Sequence, residues 1–213
     1  MLLAVILLLI VPTVPAQKIY YAPGNEHWKQ ARPAQSAELL YSVFLIGDLK
    51  YPLPENQNLQ LLKRQLKDAG KQSAVVILGD ILYPLGLPDS ADKGFAEADQ
   101  HLRFILDLLQ GYQGEIVFIP GNHDWSRGRK QGLESVLNEE LFIENYMGRG
   151  NIFLPDEGCP GPVEVPLSDD ITLIAFDSQW LFYKYDKPGG DGDCDFTEEK
   201  EIYIQIEDAI RRN

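Results

Sequence analysis

The chain has 213 residues, of which 45% are hydrophobic and 24% are charged, with a formal net charge of −13. This length supports one domain with a sizeable core, and the composition is that of an ordinary globular protein. The acidic balance argues against nucleic-acid binding, which needs clusters of Lys and Arg, but not against a phosphorylated substrate, because bound divalent cations reverse the charge of a cleft locally.

The first sixteen residues have the character of a targeting segment. Residues 1–11 are uninterrupted apolar sequence, too short for a comfortable membrane span, and residues 14–16 (Val-Pro-Ala) resemble a cleavage site. No Lys or Arg precedes the apolar run, so an uncleaved membrane anchor is the alternative. We predict a signal peptide over residues 1–16, a surface segment over residues 17–41, and export to the periplasm or the outside of the cell with no membrane span after cleavage.

From residue 42 onward, strand and helix patterns alternate. Short apolar runs predict buried strands, and apolar residues at helical spacing predict amphipathic helices. The predicted strands are 42–46, 74–78, 115–119 and 171–176, and the predicted helices are 59–69, 95–109, 131–146 and 197–213, the last with Thr197 as N-cap. This alternation is typical of an α/β fold with a largely parallel sheet.

The sequence contains two cysteines, Cys159 and Cys194. In an exported protein two such residues can form a disulfide, because the compartment is oxidising. The alternative is two free thiols, since spacing in the sequence does not show whether the Cα atoms come close enough.

Three of the predicted strands end in a glycine followed by a side chain that can bind metal. These side chains are Asp48, Asp80 and the consecutive residues Asn122, His123 and Asp124. Ligands of open α/β sheets bind beyond the carboxyl ends of the strands, so we expect these groups to converge. Carboxylate and amide oxygens suit hard or borderline divalent cations. The sequence therefore predicts one cation site at this edge.

Such a site is suited to phosphoryl transfer. Two cations about 3.5–4 Å apart clamp the attacking and leaving oxygens and make hydroxide available near neutral pH. His123 next to the site can protonate a leaving alkoxide, and Asp124 can orient its ring. The alternatives are helix N-capping for Asp48 and Asp80 and a surface loop position for His123. The ordered set of three motifs favours the metal site.

The motifs Gly-Asp at 47–48, Gly-Asp-x-x-Tyr at 79–83 and Gly-Asn-His-Asp at 121–124 resemble those of the calcineurin-like metallophosphoesterases. The resemblance covers residues 42–213. It implies a four-layer α/β/β/α sandwich with a dinuclear metal centre, and hydrolysis of a phosphoester, such as a phosphorylated small molecule, by metal-bound hydroxide. No oligomeric state follows from it.

The resemblance also implies a role for each motif residue. Asp48 would bind the first metal ion, and Asp80 would bridge both ions. Asn122 would bind the second ion and contact the substrate phosphate. His123 would contact the substrate as general acid, with Asp124 as its partner.

One departure from the family pattern points to a particular branch. Many members have Asp-x-His in the first motif, whereas this chain has Asp48-Leu49-Lys50, and a charged Lys has no lone pair to offer a metal. The purple acid phosphatases also lack that His, and a Tyr at the position of Tyr83 binds ferric iron. The resemblance therefore implies that Tyr83 is a ligand in a Fe, Zn or Mn pair, with a packing or substrate-facing aromatic as the alternative.

A second departure concerns histidine. The family pattern has two further segments with His ligands, but this chain has three histidines and none follows His123. We therefore expect the domain to be incomplete at its C-terminal side, and the fragment alone to hold about half of the ligands. The alternative function is a truncated or degenerate domain that binds phosphate or a partner without turnover.

Overall fold

The computed structural model describes residues 39–50, 56–189 and 193–213. The predicted signal peptide (1–16) and most of the predicted surface segment (17–41) lie outside the described residues. In chain order the elements are β1 (Ser42–Ile46), α1 (Gln57–Asp68), β2 (Ser73–Ile77), α2 (Phe95–Leu109), β3 (Glu115–Phe118), a 3-10 turn (Ser126–Gly128), α3 (Gly132–Met147), β4 (Val163–Ser168), β5 (Ile171–Ala175), α4 (Gln179–Phe182) and α5 (Glu199–Arg212). None of the helices within these ranges is long and apolar enough to cross a membrane.

Two sheets form the framework. β1, β2 and β3 make a parallel sheet in that order, with α1 and α2 as the crossovers between them. β4 and β5 form an antiparallel hairpin. The predicted α/β fold with a parallel sheet is confirmed. Sequence analysis missed β4, because this strand contains Pro166 and alternates apolar with polar residues instead of forming an apolar run.

The alternation of side chains along the parallel strands creates two cores. Val75 and Ile116 belong to the large core on the side of α1, α2 and α3. Val76 and Val117 face the other way and pack with Ala175 and other apolar residues of the hairpin. The helices, the parallel sheet and the hairpin therefore form successive layers. Because β1, β2 and β3 run parallel, their carboxyl ends lie at one edge of the sheet.

β1 is less buried than the sequence pattern predicts. All five residues of β2 are buried, whereas Val43 and Leu45 of β1 are 40% and 61% exposed. Both lie on the same face of the sheet as Val76, because Leu45 is the register partner of Val76. Within the described residues, the hairpin covers this face at β2 and β3 but leaves it open at β1.

The last helix begins one residue later than predicted. The N-cap of α5 is Glu198, not Thr197, and Glu198 and Glu201 form a capping box in which each side chain accepts from the other's backbone amide. The Thr197 hydroxyl instead donates to the Glu201 carboxylate. Glu198 is the N-cap because Glu201 stands three residues after it. At this spacing the two side chains satisfy the backbone amides of both residues.

Cys159 and Cys194 form a disulfide, with their Cα atoms 5.8 Å apart. The bond joins the loop before β4 to the loop before α5. The structure therefore contains the disulfide, and not two free thiols.

We expect the difference between β1 and β2 to be visible in stability. Val76→Ala removes two methyl groups from a fully buried position and should lower the free energy of unfolding by about 2 kcal/mol. Val43→Ala is the matched control on the same sheet face, and should cost less than half as much, because Val43 is 40% exposed. Urea unfolding of both variants measures the difference, and equal losses would contradict the layer assignment.

Candidate metal centre

Asp48 and Asp80 occupy equivalent turns after β1 and β2. Both have left-handed backbones, with φ of 55° and 52°, a conformation that Asp tolerates better than most residues. The two turns are tied together, because the Asp48 amide donates to the Gly79 carbonyl (3.2 Å) and the Leu49 amide donates to the Asp80 carbonyl (2.9 Å). The N-caps of α1 and α2 are Asn56 and Gly94, so N-capping does not explain either Asp.

Tyr83 brings the two carboxylates to one point. Its Oη donates to Asp48 Oδ1 in a short hydrogen bond and lies 3.0 Å from Asp80 Oδ2. Burial, followed by these hydrogen bonds to the two carboxylates, raises the pKa of Tyr83. The phenol therefore keeps its proton between two negative charges unless a cation replaces that proton.

The turn after β3 adjoins the same point. Asp80 Oδ1 accepts from the backbone amide of His123 at 2.9 Å. Gly121 is required here, because a Cβ atom on it would lie 2.4 Å from Asp80 Oδ1. The Asn122 side chain is exposed at this edge, and among the described residues it forms no hydrogen bond to either carboxylate.

The His123 ring is held from two sides. Its Nδ1 lies 2.8 Å from the Pro84 carbonyl oxygen, and its ring centroid lies 3.9 Å from that of Tyr83. A carbonyl only accepts, so this contact assigns the proton to Nδ1. Nε2 is then the nitrogen that can exchange a proton with a substrate.

Asp124 does not pair with the His123 ring as predicted. It is fully buried, and its oxygens accept from the backbone amides of Ile81 (2.9 Å), Leu82 (3.1 Å) and Gly121 (2.7 Å). These amides have left their strands and need acceptors, which a buried carboxylate provides. Asp124 therefore links the turn after β2 to the turn after β3. The Pro84 carbonyl, and not Asp124, accepts from the His123 ring.

A second buried carboxyl, Glu139 of α3, lies behind this arrangement. Its Oε1 accepts from the Leu87 amide at 2.9 Å, and its Oε2 has no hydrogen-bond partner within the described residues. Burial, and then the negative charge of Asp124, raise the pKa of Glu139 well above its usual value. Burial likewise raises the pKa of Asp124 to about 7. A proton on Glu139 lets the two buried carboxyls lie side by side.

Glu139 and the Pro84 carbonyl are not among the site groups predicted from the sequence. Glu139 stands at the apolar spacing of its helix, three residues after Val136 and four before Ile143, both of which are buried. A carboxyl at a predicted core position is a signal that was present in the sequence. The Pro84 contact uses a backbone atom and has no such signal.

Trp125, next to the predicted site residues, is a packing residue. It is fully buried, and its Nε1 donates to Asp177 Oδ2 at 2.6 Å. Asp177 also accepts from the Gln179 amide at 2.8 Å, and burial raises its pKa to about 6. This contact anchors the segment after His123 to the end of β5.

Two other side chains touch the walls of the centre. Lys50 Nζ lies 5.8 Å from the centroid of the Tyr83 ring, within range of a cation–π interaction. His101 of α2 lies with Nε2 3.0 Å from the Leu49 carbonyl oxygen, and so supports the turn that carries Asp48.

The donor set fits a hard cation but is incomplete for a pair. Asp48, Asp80 and Tyr83 offer three oxygens around one point, which suits Fe, Mn, Mg or similar ions. Among the described residues there is no group of three or more His, Cys, Asp or Glu side chains that could hold a metal ion. The chain thus presents an oxygen-only cluster with two carboxylates.

A parallel sheet that gathers two carboxylates at its carboxyl edge belongs to the α/β proteins that bind ligands beyond their strand ends. The family model described as calcineurin-like phosphoesterase matches residues 41–195, and the chain belongs to this family. The family assignment indicates a hydrolase of phosphoric esters, in a family that usually binds divalent metals. No curated protein and no solved structure matches the chain significantly.

We expect Glu139→Gln to flatten the pH dependence of stability in metal-free protein. The pKa of Glu139 in the folded state is raised above its unfolded value of about 4.3. As pH rises above that value, the unfolded chain loses this proton first, so the free energy of unfolding falls until pH passes the folded pKa. Gln carries no such proton, so the fall between pH 5 and pH 8 should be smaller.

Urea unfolding in the presence of EDTA at both pH values measures this change. Glu134→Gln is the control, because Glu134 is exposed on the same helix and its variant should keep the wild-type slope. An unchanged slope in Glu139→Gln would show that this carboxyl titrates alike in both states.

Proposed function

We propose that the protein hydrolyses a phosphate ester at a dinuclear metal centre of the purple acid phosphatase type. The observation that carries the proposal is the contact of Tyr83 Oη with both Asp48 and Asp80. In this proposal Asp48 and Tyr83 bind the first ion, Asp80 bridges both ions, and Asn122 binds the second ion and contacts the phosphate. The metal pair, drawn from Fe, Zn and Mn, supplies positive charge and an activated water near neutral pH.

His123 is the proposed general acid. The Pro84 carbonyl holds Nδ1 and the Tyr83 ring packs on the imidazole, so the direction of Nε2 is fixed. A proton on Nε2 passes to the leaving alkoxide oxygen as the ester bond breaks. Asp124 acts as a positioning residue, because it fixes the turns that carry Asp80 and His123 without touching the ring.

The purple acid phosphatase branch rests on Tyr83. Its phenol is protonated in a site rich in negative charge, where burial and two carboxylates raise its pKa. Asp48, Asp80 and the Tyr83 phenolate would hold a ferric ion at this point, and its charge would offset those of the three oxygens. The absence of a lone pair on Lys50, which stands where other branches have a His ligand, supports the same branch.

We also propose that the protein is exported. The disulfide between Cys159 and Cys194 supports this, because such bonds persist in oxidising compartments. The apolar N-terminal sequence supports it independently.

A second candidate function is binding of a phosphate group or a partner without turnover. The observation that favours it is the oxygen-only cluster, since the described residues contain no group of three or more His, Cys, Asp or Glu side chains that could hold a metal. Metal content and turnover of the purified protein separate the two candidates, because a binding module without metal should release no phosphate.

Asp80→Asn should reduce turnover of p-nitrophenyl phosphate by at least about a hundredfold, since an amide cannot bridge two cations as a carboxylate does. Metal content measured on the same samples should fall below that of the wild type. The matched control is Asp68→Asn, at an exposed position at the C-terminal end of α1. This variant should keep the wild-type turnover and metal content. Retained turnover in Asp80→Asn would defeat the bridging role.

Tyr83→Phe should abolish the colour of the iron-loaded protein. Tyrosinate bound to ferric iron absorbs visible light, and Phe offers no oxygen. The visible spectrum of the wild type, of this variant and of Tyr203→Phe measures the effect, the last being an exposed control on α5. A band that survives in Tyr83→Phe would assign the iron ligand elsewhere.

A further inference from the structure

We propose that a cavity beside the centre binds the leaving alcohol of the substrate and selects alcohols that are neutral or positively charged. This inference rests on the proposed function. The cavity has a volume of about 690 Å³ and lies between the loop 83–94 and the first turns of α2 and α3. That volume is within the range of small-molecule sites and far exceeds the need of a bare phosphate group.

The cavity shares two residues with the surroundings of the proposed general acid. Tyr83 belongs to both sites, because its Oη contacts the carboxylates of the centre and the residue also lines the cavity. Pro84 lines the cavity as well, and its carbonyl holds the proposed general acid, His123. A general acid must lie within hydrogen-bond reach of the leaving oxygen. The His123 ring packs on the Tyr83 ring with centroids 3.9 Å apart, and Tyr83 lines the cavity, so an alcohol that leaves beside His123 has the cavity within its reach.

The wall of the cavity is preformed. Ser126 Oγ donates to the Leu85 carbonyl at 2.6 Å, and Ser135 Oγ lies 3.2 Å from the carbonyls of Leu85 and Leu87. A Cβ atom on Gly86 would lie 2.4 Å from Ser135 Oγ, so the loop packs directly on α3. These two hydroxyl groups are already paired within the protein. Leu87, which is buried and also lines the cavity, adds an apolar surface.

The rim of the cavity is acidic. Among the described residues that line it, four exposed carboxylates stand against the ammonium group of Lys93. The four are Asp89, Asp92, Glu97 and Glu134. A cleft lined by one sign of charge attracts the opposite sign and repels its own. An apolar body with an ammonium group is therefore favoured here, and an alcohol with a carboxylate or a second phosphate is disfavoured.

Three aryl esters of similar size and leaving-group acidity test the charge selection. They are 4-(aminomethyl)phenyl, 4-ethylphenyl and 4-(carboxymethyl)phenyl phosphate. We expect kcat/KM to fall in that order, with the cationic ester about tenfold above the anionic one at low salt. The ratio should shrink as salt is added, because exposed charges are screened. Equal kcat/KM for all three esters would overturn the cavity proposal and leave the proposed hydrolysis intact.

A pair of variants with the same change of net charge locates the effect. Glu97→Gln combined with Glu134→Gln removes two carboxylates from the rim and should lower the cation-to-anion ratio several-fold. Asp68→Asn combined with Asp170→Asn removes two exposed carboxylates that do not line the cavity and should keep the wild-type ratio. A ratio that falls equally in both variants would assign the preference to overall charge and refute the rim.

Binding of the free alcohols tests the cavity without turnover. Titration of the wild type with 4-(aminomethyl)phenol and with 4-hydroxyphenylacetate, followed by NMR, should show tighter binding of the cation. The rim variant should lose this preference. Cation-selective binding with no turnover of any ester would refute hydrolysis and support the cavity, whereas equal binding of both alcohols would refute the cavity.

Discussion

Two carboxylates from neighbouring strand ends meet at one hydroxyl, and much of the surrounding structure holds them there. Asp48 and Asp80 carry like charges, which repel at short range unless a proton or cation stands between them. Both residues also have left-handed backbones, which cost about 1–3 kcal/mol each for a residue other than glycine. Parallel register sets the two turns side by side, and the hydrogen bonds between those turns keep them so. The sheet thus stores an arrangement that a cation would stabilise.

The loop after β2 connects this centre to the cavity beside it. Along a few residues it supplies Tyr83 to the carboxylates, the Pro84 carbonyl to His123, and Leu87 to the cavity floor. Asp124 and Glu139 accept from its amides at either end. Burying two carboxyls costs free energy, but their hydrogen bonds hold the loop near both of its ends. In the proposed function, catalysis and selectivity both depend on this one segment.

The sequence predicted most of the sheet and half of the site, for identifiable reasons. Buried parallel strands must be apolar on both faces, so β2 and β3 stand out, and strand-end Asp residues mark the edge that binds ligands. β4 was not predicted because Pro166 and the alternating polar residues interrupt its apolar pattern. Asp124 was assigned to the wrong partner, and Pro84 was missed, because backbone amides and carbonyls occur at every position and their use depends on the folded loop. Glu139 shows that a charge at core spacing in a helix marks a supporting role.

The negative charge of the chain bears on how each part of a phosphoester could be recognised. A protein with a net charge of −13 and an acidic rim does not attract a phosphate ester by its own field. In the proposed function, attraction for the phosphate comes from cations bound at Asp48 and Asp80, over a distance shorter than the Debye length of about 8 Å at physiological salt. Beyond that distance the rim carboxylates set the potential that the rest of the substrate meets. On this proposal the centre would recognise the group common to all phosphoesters, and the cavity would discriminate between their alcohols.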